Sequence, residues 1–206
     1  MNPVNRRWVS GFTGSDGHLL ITPDMALLAT DSRYWLQAAE EAPEFELFKH
    51  ERAMADMARL LEFATETPIG IEANYVTCQT VNQLSEIGHV SVHLLDDPIG
   101  PLRVGKSTPE IAHIQKAAAI TDSAMTAVPQ LLRKGITERE LAWEIEKWMR
   151  ESGADGLAFD SIVAFGAHSA RPHHHPGDRP LRSGDIILVD MGARFAGYCS
   201  DLTRTF

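Results

Sequence analysis

A chain of 206 residues is long enough for one large domain or two small ones, and 44% hydrophobic with 23% charged residues is ordinary for a globular protein. The net charge of −9 argues against a nucleic-acid or anionic-membrane partner, and no apolar run approaches the roughly 20 residues that span a bilayer. The start of the chain has no signal-peptide-like apolar stretch, and Cys78 and Cys199 form no CxxC pair, so two reduced thiols in a cytoplasmic protein are expected.

In chain order, residues 1–98 read as an α/β unit. Gly11-Phe-Thr-Gly-Ser-Asp-Gly17 is glycine-rich but lacks the spacing of a phosphate loop, and it reads as a turn into a strand. Short apolar strands follow at His18–Thr22 and Ala26–Thr30, separated by the turn signal Pro23-Asp24. Helices are predicted over Arg33–Glu41 and Glu51–Ala64, the second from the spacing of Met54, Met57, Leu61 and Ala64. Ile69–Glu72 and Val90–Leu95 read as strands flanking a helix near Thr80–Ile87, and this alternation favours a partly parallel sheet with helices on its faces.

Residues 99–107, after the proline-rich start at Asp97-Pro98, form the predicted linker, and residues 108–206 a second domain. Its first helix opens with Thr108 as N-cap, Pro109 and Glu110, and ends by Gly135. Thr137-Glu-Arg-Glu140 is a capping box for a helix to Glu151 with Leu141, Ile145 and Trp148 on one face. A strand over Phe159–Phe165 leads into the loop Gly166–Ser183, which contains Pro172-His173-His174-His175-Pro176. The apolar run Ile186–Val189 and the alternating Cys199–Phe206 then read as the arms of a hairpin.

That hairpin carries Asp190 and Asp201. With Gly192 and Gly197 bracketing the turn, its centre is predicted between Phe195 and Ala196, which sets the two aspartates directly opposite, Cβ atoms roughly 4.5–5.5 Å apart. Two like charges so close call for a cation between them, and a pair of divalent metals about 3.5–4 Å apart would satisfy both. Two solvated acids, one paired with Arg204, are the other reading; spacing does not choose between them. Thr203 shares the face of Asp201, where it can orient a metal-bound water or simply serve as a strand former. The histidine loop is either an exposed polar loop, a loose metal-binding tract, or a source of a proton-handling imidazole.

The segments Phe159–His173, Leu181–Asp190 and Ser200–Phe206 closely resemble the Xaa-Pro peptidases, aminopeptidase P and prolidase, which are metallopeptidases of the pita-bread fold. The first half resembles their creatinase-type N-terminal domain. Gly11-Phe-Thr-Gly-Ser15 and Thr30-Asp-Ser-Arg-Tyr34 match its usual motifs, Ser32 standing where a glycine is usual. The resemblance implies an α/β creatinase-like domain with a mixed sheet, followed by the first half of a pita-bread domain. It implies that Asp190 binds one metal, that Asp201 bridges two, and that His173 assists at the scissile carbonyl or the proline nitrogen. His174 and His175 fall on variable positions and receive no role. The implied metals are two divalent ions, Mn²⁺ first and Co²⁺ or Zn²⁺ as alternatives, which activate water and stabilise the oxyanion. The implied substrate is a proline-containing peptide, and the implied parent assembly a homo-oligomer. The family's remaining ligands, a histidine and two glutamates, have no counterpart within the 206 residues. The expectation is therefore a truncated peptidase, inactive alone. A non-catalytic module on the same fold and a metal-free creatinase-like amidinohydrolase are the competing readings.

Overall fold

In the computed structural model, which describes residues 2–51, 53–64, 68–87 and 91–206 (of residues 53–55, the backbone only), the chain divides at Gly105 into two units. The first opens with a helix that the sequence reading does not assign, α1 (Pro3–Ser10). Its signals are local: the Asn2 side chain accepts from the Val4 and Asn5 N–H groups, Pro3 sets the first turn, and Gly11 closes it at φ 82°. Buried Arg6 donates to the carbonyls of Gly17 (2.8 Å) and Gly14 and lies over the Phe12 ring, so the glycine-rich segment is a packed turn, as read. Strands β1 (His18–Ile21) and β2 (Ala26–Thr30) pair antiparallel. Helix α2 (Trp35–Glu41) returns the chain to β3 (Glu46–Lys49), an unpredicted strand parallel to β2. Beyond α3 (Ala53–Leu61), β4 (Ile69–Glu72) pairs in parallel with β5 (Val92–Leu95) across α4 (Cys78–Ser85), a βαβ crossover, and α5 (Gly100–Arg103) is one further turn. The Met54 side chain and Val90, both part of the predicted elements, lie outside the described residues. Leu20, Leu27, Ala29 and Leu60 make one core cluster; Phe12, Leu28, Ala38 and Ala42 make another.

In the second unit, α6 (Thr108–Leu131) begins one residue earlier than read: Ser107, not Thr108, is the N-cap. The Glu110 carboxylate accepts from the Ser107 N–H and hydroxyl, both at 2.7 Å, a reach that fixes the cap three residues before it. Helix α7 (Glu138–Glu151) starts at the expected Thr137–Glu140 capping box. Its buried stripe is Leu141, Ile145 and Met149; Trp148 sits at the rim, its indole N–H on Ser123. Six more short strands and a helical turn follow, beginning with β6 (Gly156–Leu157), β7 (Ile162–Phe165), a 3₁₀ turn (Gly166–Ala170), β8 (Ile187–Met191), β9 (Ala193–Phe195) and β10 (Tyr198–Cys199). The last strand is β11 (Leu202–Thr205). They form two antiparallel sheets, ordered β7-β8-β11 and β6-β9-β10. Val163, Phe165, Val189 and Met191 project from the first sheet into a core shared with Ile120, Val128, Leu141 and Ile145. Among the described residues no helix is long and apolar enough to cross a membrane.

The hairpin register differs from the prediction. The turn is Ala196-Gly197, both at positive φ (48° and 79°), with Phe195 paired to Tyr198. Positive φ at both central residues defines the two-residue type I′ turn that suits twisted strands. The centre therefore lies one residue later than read, and Asp190 faces Thr203, not Asp201.

Candidate metal and histidine site

Asp190 stands on the central strand of its sheet, with Ile162 of β7 on one side and Thr203 of β11 on the other. Burial alternates along β8: Ile187, Val189 and Met191 are buried, whereas Leu188 and Asp190, on the other face, are half-buried. A partly dehydrated carboxylate needs donors, and the Thr203 hydroxyl supplies one to Asp190 Oδ1 at 2.7 Å. Thr203 thus orients the carboxylate itself, where the sequence reading had it orient a metal-bound water or serve as a strand former.

Asp201 is exposed and precedes β11 by one residue. The register makes it the diagonal neighbour of Asp190, a spacing on the order of 7–8 Å between backbones and less between side-chain tips. The segment leading to it is anchored on α6. The Ser200 hydroxyl lies 2.6 Å from that of buried Thr121 and donates to the Ala117 carbonyl, and the Ala193 N–H donates to Thr121. Arg204, the salt-bridge partner considered for Asp201, instead reaches the carbonyl of Thr203. The hairpin therefore sets two carboxylates on adjoining strands, open to solvent. Oxygen donors of that kind suit hard divalent cations, although two of them leave most coordination positions unfilled.

His173 is exposed, and so is His175; His174 between them is buried. The loop that carries them leaves β7 at Phe165, which pairs with Ile187, whereas Asp190 pairs with Ile162. Three residues of strand, roughly 10 Å, separate the loop's root from Asp190.

What the sequence reading missed is the anchor of that loop. Glu138, the first residue of α7, is fully buried. Its Oε1 accepts from the Phe165 N–H (2.9 Å) and His168 Nδ1 (2.8 Å), and its Oε2 from His174 Nε2 (2.9 Å) and the Gly177 N–H (3.1 Å). A carboxylate can only accept, so both facing imidazole nitrogens carry protons. Burial pushes the Glu138 carboxyl up, but the bonds from Phe165, His174, Gly177 and His168 outweigh it and hold the group below its ordinary range. The signal in the sequence is a glutamate at the head of the Leu141–Ile145–Met149 stripe, where a charge must find partners. One ligand atom from each of Glu138, His168 and His174 lies within 4.8 Å of the others, a metal-like grouping. Each carboxylate oxygen already takes two donors, however, and a cation would have to displace the imidazole protons. Further along the loop, the Arg179 guanidinium grips Asp185 bidentately at 2.8 and 2.9 Å and holds its carboxyl down at about 2.

Residues 1–104 match the description Creatinase/Prolidase N-terminal domain, and residues 112–206 match Metallopeptidase family M24. An uncharacterized peptidase of Bacillus subtilis is 37% identical over 204 residues, covering 98% of this chain and 58% of that protein. Among solved structures, an Xaa-Pro dipeptidase from Bacillus anthracis superposes with a TM-score of 0.95 at 32% identity, over 100% of this chain and 58% of that one. An X-Pro aminopeptidase from Thermotoga maritima superposes at 0.90 and 34%, over 99% and 58%. The chain thus spans less than two thirds of the length of these relatives.

Proposed function

Since the chain belongs to the creatinase/prolidase group of the M24 metallopeptidases, we propose that it supplies two aspartates and a histidine to the active site of an Xaa-Pro peptidase. The observation that carries this reading is the placement of Asp190 and Asp201 diagonally across one antiparallel ladder, each fixed by its own support. Two divalent ions, Mn²⁺ first on donor chemistry, would polarise the scissile carbonyl and lower the pKa of the attacking water. The chain's own residues prepare for this. Thr203 holds the Asp190 carboxylate in one rotamer, and the Ser200–Thr121 bond fixes the backbone leading to Asp201. His173 presents an imidazole that can pass a proton at the carbonyl or the proline nitrogen. The chain spans 58% of the Bacillus anthracis dipeptidase, and two aspartates leave most coordination positions of two ions to other ligands.

A chimera tests this reading: residues 1–206 joined in register to the remaining length of the Bacillus anthracis dipeptidase. With Mn²⁺ it should hydrolyse Xaa-Pro bonds, and Asp201→Ala should cost at least about 100-fold in kcat. Assaying dipeptides beside longer peptides separates dipeptidase from aminopeptidase specificity. A folded, Mn²⁺-loaded chimera without Xaa-Pro cleavage would sink the proposal.

A further inference from the structure

Glu138 receives hydrogen bonds from residues before and along the histidine loop: Phe165 at its root, His168 in the 3₁₀ turn, then His174 and Gly177 on its far arm. The return arm is zipped to the start of the same helix. The Glu138 N–H donates to the Arg179 carbonyl, the Arg139 N–H to that of Gly177, and the Leu181 N–H to that of Ile136. These helix-start N–H groups have no partner within the helix, so the loop satisfies donors that would otherwise be left over. The His168 and His174 rings meet at 4.6 Å between centroids, which closes the loop's base. Between those anchors lie Arg171, Pro172 and His173, all exposed. His173 is thus flanked directly by buried His174, which is held by its bond to Glu138 and its ring contact with His168.

We propose that Glu138 is a positioning residue. Its carboxylate gathers both arms of the loop through His168 and His174, and this holds the His173 imidazole ready for proton transfer. The assignment rests on the role given to His173 above, but its test uses no peptide and reads no turnover, so either can fail without the other. Substitution Glu138→Gln keeps the shape and halves the acceptors, turning an NH₂ group toward donors that need an oxygen.

The experiment is NMR of the 206-residue chain, wild type against Glu138→Gln and His174→Ala. In the wild type, long-range ¹H–¹⁵N spectra should report a protonated Nδ1 for His168 and a protonated Nε2 for His174, both slow to exchange. In Glu138→Gln these signals should be lost, amide protection over residues 167–177 should fall by about tenfold or more, and the His173 ring should gain fast motion. Amides of Ile187–Met191 should stay within about twofold, showing that the sheet survives. His174→Ala should loosen His173 while leaving the His168 proton in place. A Glu138 that merely braced the helix against the sheet would lower the unfolding midpoint and leave His173 ring relaxation unchanged; that result overturns the proposal. So does loss of both imidazole protons on adding Zn²⁺ to the wild type, which would make the group a metal site.

Discussion

A carboxylate that accepts four hydrogen bonds cannot take up a proton without forfeiting at least one of them. Glu138 is in that position, and Asp185, gripped by Arg179 and by the Arg182 N–H, is in a milder version of it. Both folded-state pKa values lie below their ordinary ones, 4.5 for Glu138 and 3.8 for Asp185. Each group's stabilisation is therefore complete above its ordinary value and is lost as pH falls through the folded value, which for Asp185 is about 2. Denaturant unfolding of the chain should show no change from these two groups between neutral pH and about pH 5, then a decline toward about pH 2. Glu138→Gln and Asp185→Asn should each lower stability at neutral pH and flatten part of that acid decline. An acid limb identical in wild type and both variants would contradict the hydrogen-bond account. Glu138 was open to discovery in the sequence, as a charge in line with Leu141, Ile145 and Met149. Its partners were not, because His168, His174 and Gly177 lie 30 or more residues away and only the loop's path brings them back.

At the scale of elements, the hairpin is the instructive case. Ala196 occupies the left-handed region at φ 48°, a conformation that costs a residue with a Cβ and favours Asn or Gly. Ala196→Asn, which creates the preferred Asn-Gly pair, should stabilise the chain by about 0.5–1 kcal/mol, read as a raised denaturant midpoint with unchanged slope. A destabilised variant would argue against the type I′ turn and its register. The arms of this hairpin were legible from β-branched residues and alternation, but the register was not. Moving the turn by one residue shifts each cross-strand partner by two, and a shift of two leaves every side chain on its original face. The hydrophobic pattern is blind to that difference. Gly192 and Gly197 both looked able to flank the turn, and only the backbone angles separate them. The missed α1 and β3 have similar explanations: one is a short polar helix marked by its caps, the other a four-residue strand whose pairing is parallel and non-local.

At the scale of the whole molecule, two units occur in one chain, a creatinase-type domain and the part of an M24 domain that carries two carboxylates and the histidine loop. Family motifs made both recognisable from the sequence. In the first unit those motifs do structural work: Phe12 is buried under Arg6, Tyr34 bonds Ser15, and Arg33 grips Asp31. In the second they deliver the candidate ligands. The divalent-metal site proposed at Asp190 and Asp201 can be probed by Mn²⁺-induced paramagnetic broadening of the amide spectrum of the 206-residue chain. With only two protein ligands, binding should be weak, with Kd on the order of 10⁻³ M. Broadening should centre on Asp190, Asp201 and Thr203 and should vanish in the Asp190→Asn/Asp201→Asn double variant. Broadening centred on Glu138 and its histidines, or none at the hairpin at millimolar Mn²⁺, would contradict the account.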